Sequence, residues 1–275
     1  MASEGLQGHR ARKRFGQNFL HDRHWIERIA KAVNATEGDD IVEIGPGQAA
    51  LTRELIAGAG KVRAVEIDRD LAAWLKETFP ESLSLIEADA LTLDWTQVAK
   101  NDNLRVVGNL PYNISSPLLF KLLEAADHVK DQHFMLQKEV VDRMVAQHGS
   151  KTYGRLSVML QWRYRMQKLF DVPPGAFNPP PKVMSSVVRM IPKAQEEVPS
   201  VDFELFSSVV ANAFSQRRKT IRNALSALLS AEEIAACDVD PGARAEALPL
   251  DAFVRLAQKA EALGRKAVTP GTTVD

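Results

Sequence analysis

The chain is poor in cysteine, with Cys237 alone among 275 residues. One cysteine excludes an internal disulfide framework and a metal site built from several thiolates, and it is typical of the reducing cytoplasm, where we expect the protein to be. Histidine adds little, because among six residues only His21 and His24 are closely spaced, and that spacing is more often incidental than metal-binding. We therefore expect no bound metal.

Long apolar runs and an excess of either charge are also missing. No run approaches the roughly 20 apolar residues that cross a bilayer, and residues 1–14 lack the apolar stretch of a secretory signal, so we expect no membrane association. Thirty-five basic and 35 acidic residues give a net charge of zero. Nucleic-acid-binding proteins are usually basic, so such a role must depend on local patches. With no long apolar patch in view, we expect a monomer.

Strand and helix patterns alternate through the first half of the chain. They predict strands over 40–44, 61–67, 83–87, 104–107 and 133–136, and helices over 24–33, 49–57, 71–78 and 139–146. After the fourth strand, Ser116 is expected to cap a helix with Pro117 at its first position. This alternation predicts an α/β fold, with a parallel sheet covered by helices on both faces.

Four residues with polar or conformational roles coincide with predicted strand ends. They are Gly45, Glu66, Asp89 and Asn109. Sheets of this kind bind ligands beyond the carboxyl ends of their strands, so we expect these residues to meet at one site. Asp68 and Asp70, by contrast, are interpreted as solvated charges.

The rest of the chain indicates a second, smaller domain. Residues 1–16 are interpreted as a mobile basic arm and 17–192 as the α/β domain, which ends with a strand over 183–190. Residues 200–265 have a helical pattern and predict a small all-α domain, in which Ser230 caps a short helix. The last ten residues, 266–275, are expected to be a disordered tail.

Residues 43–50 (Glu-Ile-Gly-Pro-Gly-Gln-Ala-Ala) form a glycine loop between a predicted strand and a helix. The spacing fits a G-x-G-x-x-A dinucleotide fingerprint, with Glu66 placed for ribose hydroxyls. It also fits a loop for S-adenosylmethionine, which has no phosphate. Glu43 favours the second interpretation, because a carboxylate repels a pyrophosphate but tolerates a sulfonium or ammonium group. A structural turn without a ligand stays open.

Residues 109–112 (Asn-Leu-Pro-Tyr) suit a planar base with an exocyclic amino group. The Asn109 amide and the Leu110 carbonyl can accept its two N–H bonds, and the Tyr112 ring can stack on the base. Asp89 could accept from an adenine amino group, and for that residue alone a plain surface role stays equally open. Phe177, in a proline-rich segment, is expected to be exposed and to stack on the other face of a flipped base, unless the segment is only a rigid connector.

A basic cluster spans residues 216–222, with no acidic residue between Glu204 and Glu232. On a helix Arg218 and Arg222 would lie one turn apart, and phosphate binding is favoured over a solvated face. The predicted RNA contacts are Arg217, Arg218, Lys219 and Arg222, with Lys13 and Arg14 of the arm.

Five segments together resemble the ribosomal RNA adenine dimethyltransferase family, and most closely its bacterial small-subunit members. They are residues 13–20, 43–47, 108–114, 136–139 and 177–183. The resemblance covers roughly residues 10–265 and implies a Rossmann-like methyltransferase domain that binds S-adenosylmethionine. It also implies that Asn18 and Leu20 close over this cofactor, next to Gly45, Glu66, Asp89 and Asn109.

The resemblance further implies a reaction and a substrate. The expected reaction is N6,N6-dimethylation of two adjacent adenosines in the 3′-terminal hairpin loop of 16S rRNA, within an immature small ribosomal subunit, during ribosome biogenesis. The expected catalytic residues are Asn109, Leu110, Tyr112 and Phe177. Three alternatives stay open: a methyltransferase for large-subunit rRNA, an RNA-binding assembly factor with an idle cofactor pocket, and a nicotinamide-dependent oxidoreductase.

Overall fold

The computed structural model describes residues 5–6, 11–12, 16–216 and 218–270. Predicted RNA contacts Lys13, Arg14 and Arg217 lie outside the described residues, as do 271–275 of the predicted tail. The described residues fall into two compact units. The first contains residues up to 141 together with 165–192, and the second contains 142–164 and the residues from 193 onward.

The elements of the first unit alternate as the sequence predicts, with several additions. Its strands are β1 (Phe19–Leu20), β2 (Ile41–Ile44), β3 (Val62–Glu66), β4 (Leu83–Glu87), β5 (Leu104–Asn109), β6 (Val129–Gln137), β7 (Tyr164–Val172), β8 (Phe177–Asn178) and β9 (Ser185–Pro192). Its helices are α1 (Arg23–Val33), α2 (Ala50–Ala59), α3 (Arg69–Thr78), α4 (Trp95–Val98), α5 (Ser115–Leu122) and, at the boundary with the second unit, α6 (Lys138–Met144).

Seven of these strands form one sheet in the order β4-β3-β2-β5-β6-β9-β7. Strands β4, β3, β2, β5 and β6 are mutually parallel, as predicted, whereas β9 runs antiparallel to β6. The sheet is therefore mixed, and the expectation of a wholly parallel sheet is wrong at this edge. The order of strands reverses between β2 and β5, which is the position where ligands bind in sheets of this type.

Burial explains why the central strands need helices on both faces. All four residues of β2 and the first five of β5 are buried, so neither face of these strands meets water. Helix α1 covers part of one face with Ile26, Ile29 and Val33. Its first turn is capped by Asp22, whose carboxylate accepts from the N–H of His24 at 3.0 Å.

Two predicted helix boundaries are wrong. Helix α2 continues through Gly58 to Ala59, because that glycine serves close packing: a Cβ there would lie 2.6 Å from the carbonyl oxygen of Ala35. Helix α5 begins at Ser115, before the predicted cap at Ser116. Pro117 is thus the third helical residue, where the backbone N–H still has no acceptor within the helix.

The second unit is helical, as predicted, but it is larger than residues 200–265. It contains α7 (Arg155–Arg163), α8 (Phe203–Ala213), α9 (Ile221–Ala224), α10 (Ala231–Ala235) and α11 (Leu250–Ala262). Helix α7 interrupts the predicted α/β domain and packs against α8. The Trp162 ring lies 5.5 Å from the rings of both Phe203 and Phe206, measured between centroids.

The basic cluster is not one helix. Helix α8 ends at Ala213 and α9 begins at Ile221, while Thr220 forms a β-bridge with Arg244. The predicted one-turn spacing of Arg218 and Arg222 is therefore wrong, although both side chains are exposed.

The predicted tail is ordered at its start. Val268 donates to the Ser208 hydroxyl at 2.8 Å, and its carbonyl accepts from the same hydroxyl at 2.7 Å. No helix within the described ranges is long and apolar enough to span a bilayer.

Candidate active site

A cavity of about 300 Å³ opens at the carboxyl edge of the sheet, where the strand order reverses. All of its lining residues belong to the first unit. The structure brings together here every predicted cofactor residue and two neighbouring predicted catalytic residues. They are Asn18, Leu20, Gly45, Glu66, Asp89, Asn109, Leu110 and Tyr112.

The glycine loop forms one wall of this cavity. Gly45 and Gly47 have positive φ angles of 66° and 55°, which residues with a Cβ rarely adopt. The Gly45 N–H donates to the carbonyl of Val65 at 2.9 Å and fixes the turn to β3. A Cβ on Gly47 would lie 3.0 Å from the ring of Phe19, so the glycine also lets the N-terminal segment pack on the loop.

The Glu66 carboxylate is held at the end of β3 by two backbone groups. One oxygen accepts from the N–H of Asp68 at 2.9 Å, and the other from the N–H of Gly47 at 3.3 Å. Burial raises the pKa of Glu66, and these two bonds act in the opposite direction. Each carboxylate oxygen keeps a second lone pair, so the group can accept two ligand hydroxyls side by side.

Glu43 is buried beneath the glycine loop, with 3% of its surface exposed. Its carboxylate accepts from the Thr52 hydroxyl at 2.6 Å. Burial raises the pKa of Glu43 to about 7, with a smaller contribution from the charge of Glu66. A cationic ligand nearby would lower this pKa and favour the ionised form, in which Glu43 would attract the ligand, whereas an anionic ligand would keep Glu43 neutral.

Glu43 should make stability fall as pH rises. Because its pKa increases from 4.5 to about 7 on folding, the folded state binds more protons than the unfolded state between these values. Glu43→Gln keeps an oxygen that can accept from Thr52 and removes the ionisation. We expect the variant to be more stable than wild type above pH 7 by up to about 3 kcal/mol, and the difference to shrink toward pH 4.5. Denaturant unfolding across this pH range measures the free energy of unfolding of both proteins. A difference between them that does not change with pH would contradict the prediction.

Residues 11–12 and 16–20, called here the N-terminal strap, close one side of the cavity. The Arg12 guanidinium bonds Asp68 at 3.1 Å and also pairs with Asp70, and the Gln17 amide donates to Asp68 at 3.1 Å. Asp68 is fully buried. The interpretation of Asp68 as a solvated charge is therefore wrong, whereas Asp70 is exposed, as predicted, and is also paired with Arg12. The described part of the N-terminal arm is anchored.

Asn109 connects the strap to the sheet. Its Nδ2 group donates to the carbonyl of Asn18 at 3.0 Å, so the amide oxygen is the group left to accept from a ligand. The next residue is fixed by its own backbone, because the Leu110 N–H donates to the carbonyl of Met135 at 3.1 Å. Asn109 thus has a defined orientation at the wall of the cavity.

Tyr112 is oriented by a serine that the sequence analysis missed. The tyrosine hydroxyl lies 2.6 Å from the hydroxyl oxygen of Ser185, the first residue of β9. Burial raises the pKa of Tyr112, so the phenol is neutral at physiological pH. Nothing local in the sequence marks Ser185, because the contact joins segments 73 residues apart.

Asp89 lies two residues beyond β4 and lines the cavity. One carboxylate oxygen accepts from the N–H of Leu91 at 2.9 Å, which orients the side chain. The loop is fixed from below, because the indole N–H of Trp95 donates to the carbonyl of Ala90 at 3.0 Å.

Phe177 is not exposed, contrary to the prediction. Only 2% of its surface is accessible, and it packs in the hydrophobic cluster beneath the strap. The cause is a long-range pairing, in which β8 runs antiparallel to β1 and places Phe177 opposite Leu20. In this structure Phe177 supports the strap rather than lining the cavity.

Comparisons with known proteins agree with this geometry. Residues 8–261 match the family model for ribosomal RNA adenine dimethylase. The ribosomal RNA small subunit methyltransferase A of Thiobacillus denitrificans is 57% identical over 241 residues, which are 87% of this chain and 94% of that protein.

Two solved structures share the fold over most of the chain. A dimethyladenosine transferase from Plasmodium falciparum is 25% identical and superposes with a TM-score of 0.79, covering 91% of this chain and all of that one. The 23S rRNA methyltransferase ErmE is 26% identical with a TM-score of 0.69, covering 89% of this chain and all of that one. With the family model matching nearly its whole length, the chain belongs to the ribosomal RNA adenine dimethylase family.

Proposed function

We propose that the protein transfers methyl groups from S-adenosylmethionine to N6 of two adjacent adenosines in the 3′-terminal hairpin loop of 16S rRNA. The proposed substrate is an immature small ribosomal subunit. The observation that carries the proposal is Asn109, whose amide is held by the carbonyl of Asn18 in the cavity that Glu66 and Tyr112 also line. This arrangement suits an amino group on a planar base beside a ligand that carries ribose.

The residues present fit the proposed cofactor. Glu66 offers two oriented oxygens for ribose hydroxyls, and Asp89 offers an acceptor for an adenine amino group. Glu43 favours a positive charge near the loop, as a sulfonium requires. Asn18 and Leu20 of the strap would cover the cofactor. When bound, S-adenosylmethionine supplies an electrophilic methyl group.

The chain's own groups prepare the nucleophile. The N6 lone pair of adenine is delocalised into the ring and is a poor nucleophile. Hydrogen bonds from N6–H to the Asn109 amide oxygen and the Leu110 carbonyl favour a more tetrahedral nitrogen, whose lone pair is available. The Tyr112 ring stacks on the adenine ring, and the contact with the Ser185 hydroxyl fixes the orientation of the tyrosine. Positioning and electrostatics supply the rate enhancement, without a strong base.

The choice of small-subunit rRNA is supported by the relatives. The 57% identical protein is named for the small subunit, whereas the enzyme named for 23S rRNA shares 26% identity. Single-stranded loops are where RNA bases can be splayed out and stacked on aromatic rings, which suits the cavity beside Tyr112.

Phosphate contacts are proposed for the basic cluster, of which Arg218, Lys219 and Arg222 are described and exposed. We expect Arg218→Glu with Arg222→Glu to weaken binding to small-subunit particles at least tenfold, because two phosphate contacts become repulsive. Cofactor affinity should not change. Filter binding at several salt concentrations measures the effect. The dependence of the logarithm of the binding constant on the logarithm of salt concentration should also become less steep.

A matched control variant distinguishes the effect of this basic cluster from a general effect of net charge. Lys31→Glu with Lys61→Glu changes the charge by the same four units at two exposed positions. Lys61 directly precedes β3 and lies at the amino edge of the sheet, away from the cavity. If both pairs weaken particle binding equally, the proposed RNA contact at Arg218 and Arg222 is wrong.

The whole proposal is tested by transfer of labelled methyl from S-adenosylmethionine to small subunits that lack the modification. Nucleoside analysis should show N6,N6-dimethyladenosine. Label in large-subunit particles only would favour that rRNA as the substrate. Cofactor binding without transfer to either particle would favour a binding factor, and binding of a nicotinamide dinucleotide instead would favour the oxidoreductase.

A further inference from the structure

Two neighbouring apolar side chains are exposed directly before Ser185, the residue that contacts Tyr112 of the cavity. Val183 and Met184 have 45% and 38% of their surface accessible, in the segment that joins β8 to β9. Single exposed apolar residues are common in soluble proteins and need no explanation. An adjacent pair so close in the chain to a contact of a cavity-lining tyrosine is a more informative feature.

The pair is held in place by the backbone. The Met184 carbonyl accepts from the N–H of Lys138 at 2.9 Å, directly after β6 ends, and Ser185 pairs with Gln137. Ser185 is also the residue that contacts the Tyr112 hydroxyl. Since consecutive Cα atoms are about 3.8 Å apart, Val183 lies within about 8 Å of the serine that orients the stacking ring.

A cation precedes the pair. Lys182 is exposed, and among the described residues it forms no ion pair. An exposed lysine beside an apolar surface suits a nucleotide, whose base is apolar on its faces and whose phosphate is anionic.

We propose that Lys182, Val183 and Met184 form a seat for the nucleotide next to the adenosine in the cavity. This inference rests on the proposed function. The neighbouring base packs on Val183 and Met184, and the phosphate near it contacts Lys182. Because Val183 is two residues from Ser185, which contacts the cavity-lining Tyr112, the seat is within reach of the nucleotide that follows or precedes the bound adenosine.

Apolar contact suits this role because the methylation state of the neighbouring base changes during the reaction. With two adjacent adenosines as substrates, the base outside the cavity is unmethylated at first and methylated later. A seat built on hydrogen bonds to N6 would reject the methylated base, which has lost its N–H donors. A valine and a methionine accept both forms, since added methyl groups make the base more apolar.

The test compares a double variant, which carries both Val183→Ser and Met184→Ser, with the control variant Ile191→Ser. Ile191 is 41% exposed and lies near the far end of β9, so it controls for loss of exposed apolar surface. We expect the double variant to lose about tenfold in kcat/KM for small subunits, the lower end of what one base stack contributes. Cofactor affinity and the control should be unchanged. Oligonucleotide mass spectrometry should show the loss at both dimethylations, because the seat accepts the unmethylated and the methylated neighbouring base.

A second measurement does not depend on rate. A photoreactive benzoylphenylalanine at position 183 should crosslink to the nucleotide beside the target adenosine, mapped by reverse transcription. The same group at position 191 should not. Wild-type rates in the double variant, or a crosslink in another helix of the RNA, would overturn the seat while leaving the proposed function intact. Absence of methyl transfer by the wild-type protein would instead overturn both.

Discussion

Replacing Asn109 by alanine is expected to lower turnover on small subunits by about a hundredfold, while cofactor affinity weakens only a few-fold. The alanine removes the amide oxygen that accepts from N6, and with it part of the geometry that exposes the nitrogen lone pair. Loss of one positioned polar group in an active site costs ~10²–10³ in kcat. Single-turnover methylation with saturating particles measures the chemical step, and near-normal rates would sink the assigned role.

The control for Asn109 must account for its second bond. The Nδ2 group also holds the carbonyl of Asn18, so Asn109→Ala loosens the strap as well. Gln17→Ala loosens the strap elsewhere, by removing the bond from the Gln17 amide to Asp68, and leaves the Asn109 amide in place. We expect Gln17→Ala to raise the cofactor Kd a few-fold with little change in kcat. If both variants reduce kcat equally, Asn109 acts only through the strap.

The part of the site on the parallel strands could be predicted from the sequence. Gly45, Glu66, Asp89 and Asn109 follow strands whose apolar patterns are local, and parallel strands bring their carboxyl ends to one edge. The four strands form and run parallel, and the four residues therefore line one cavity.

The parts that depend on long-range pairing could not be predicted in this way. Phe177 appears free in a proline-rich segment until β8 pairs with β1, about 157 residues earlier, and buries it. Asp68 has the pattern of a surface charge until Arg12 and Gln17 reach it from the strap. The basic cluster follows a helical pattern, but a β-bridge from Thr220 to Arg244 overrides the local preference.

The buried arginine near the start of β5 should have the largest effect on stability. Arg105 is 5% exposed and bonds Asp39 at 2.7 Å, Asp131 at 2.9 Å and the carbonyl of Val33 at 2.6 Å. Arg105→Met fills much of the same volume but removes this guanidinium from two largely buried carboxylates, and among the described residues only Asp39 keeps another cation, Lys130, at 3.5 Å. Breaking a buried pair in this way costs ~3–5 kcal/mol, which corresponds to a decrease in Tm of about 10 °C.

The pH dependence of this loss follows from Asp39. Burial raises the pKa of Asp39, but the N–H of Thr36 and the guanidinium of Arg105 outweigh it, so the pKa lies below its ordinary value of 3.8. A depressed carboxyl pKa adds stability above the unfolded-state value and loses it as pH falls. The difference between wild type and Arg105→Met should therefore narrow toward pH 3.

Arg23→Met is the matched control, because Arg23 is exposed and pairs with Glu27 and Glu54 at the surface. Exposed pairs contribute ~1 kcal/mol or less, so calorimetry should show little change. Equal losses in both variants would refute the buried network. Arg105→Met should lower Tm but retain turnover at 20 °C or below, whereas Asn109→Ala should retain Tm but lose turnover. Such a result would separate the residues for stability from those for chemistry along one strand. Arg105 near the start of β5 then secures the sheet, and Asn109 at its end acts on the substrate.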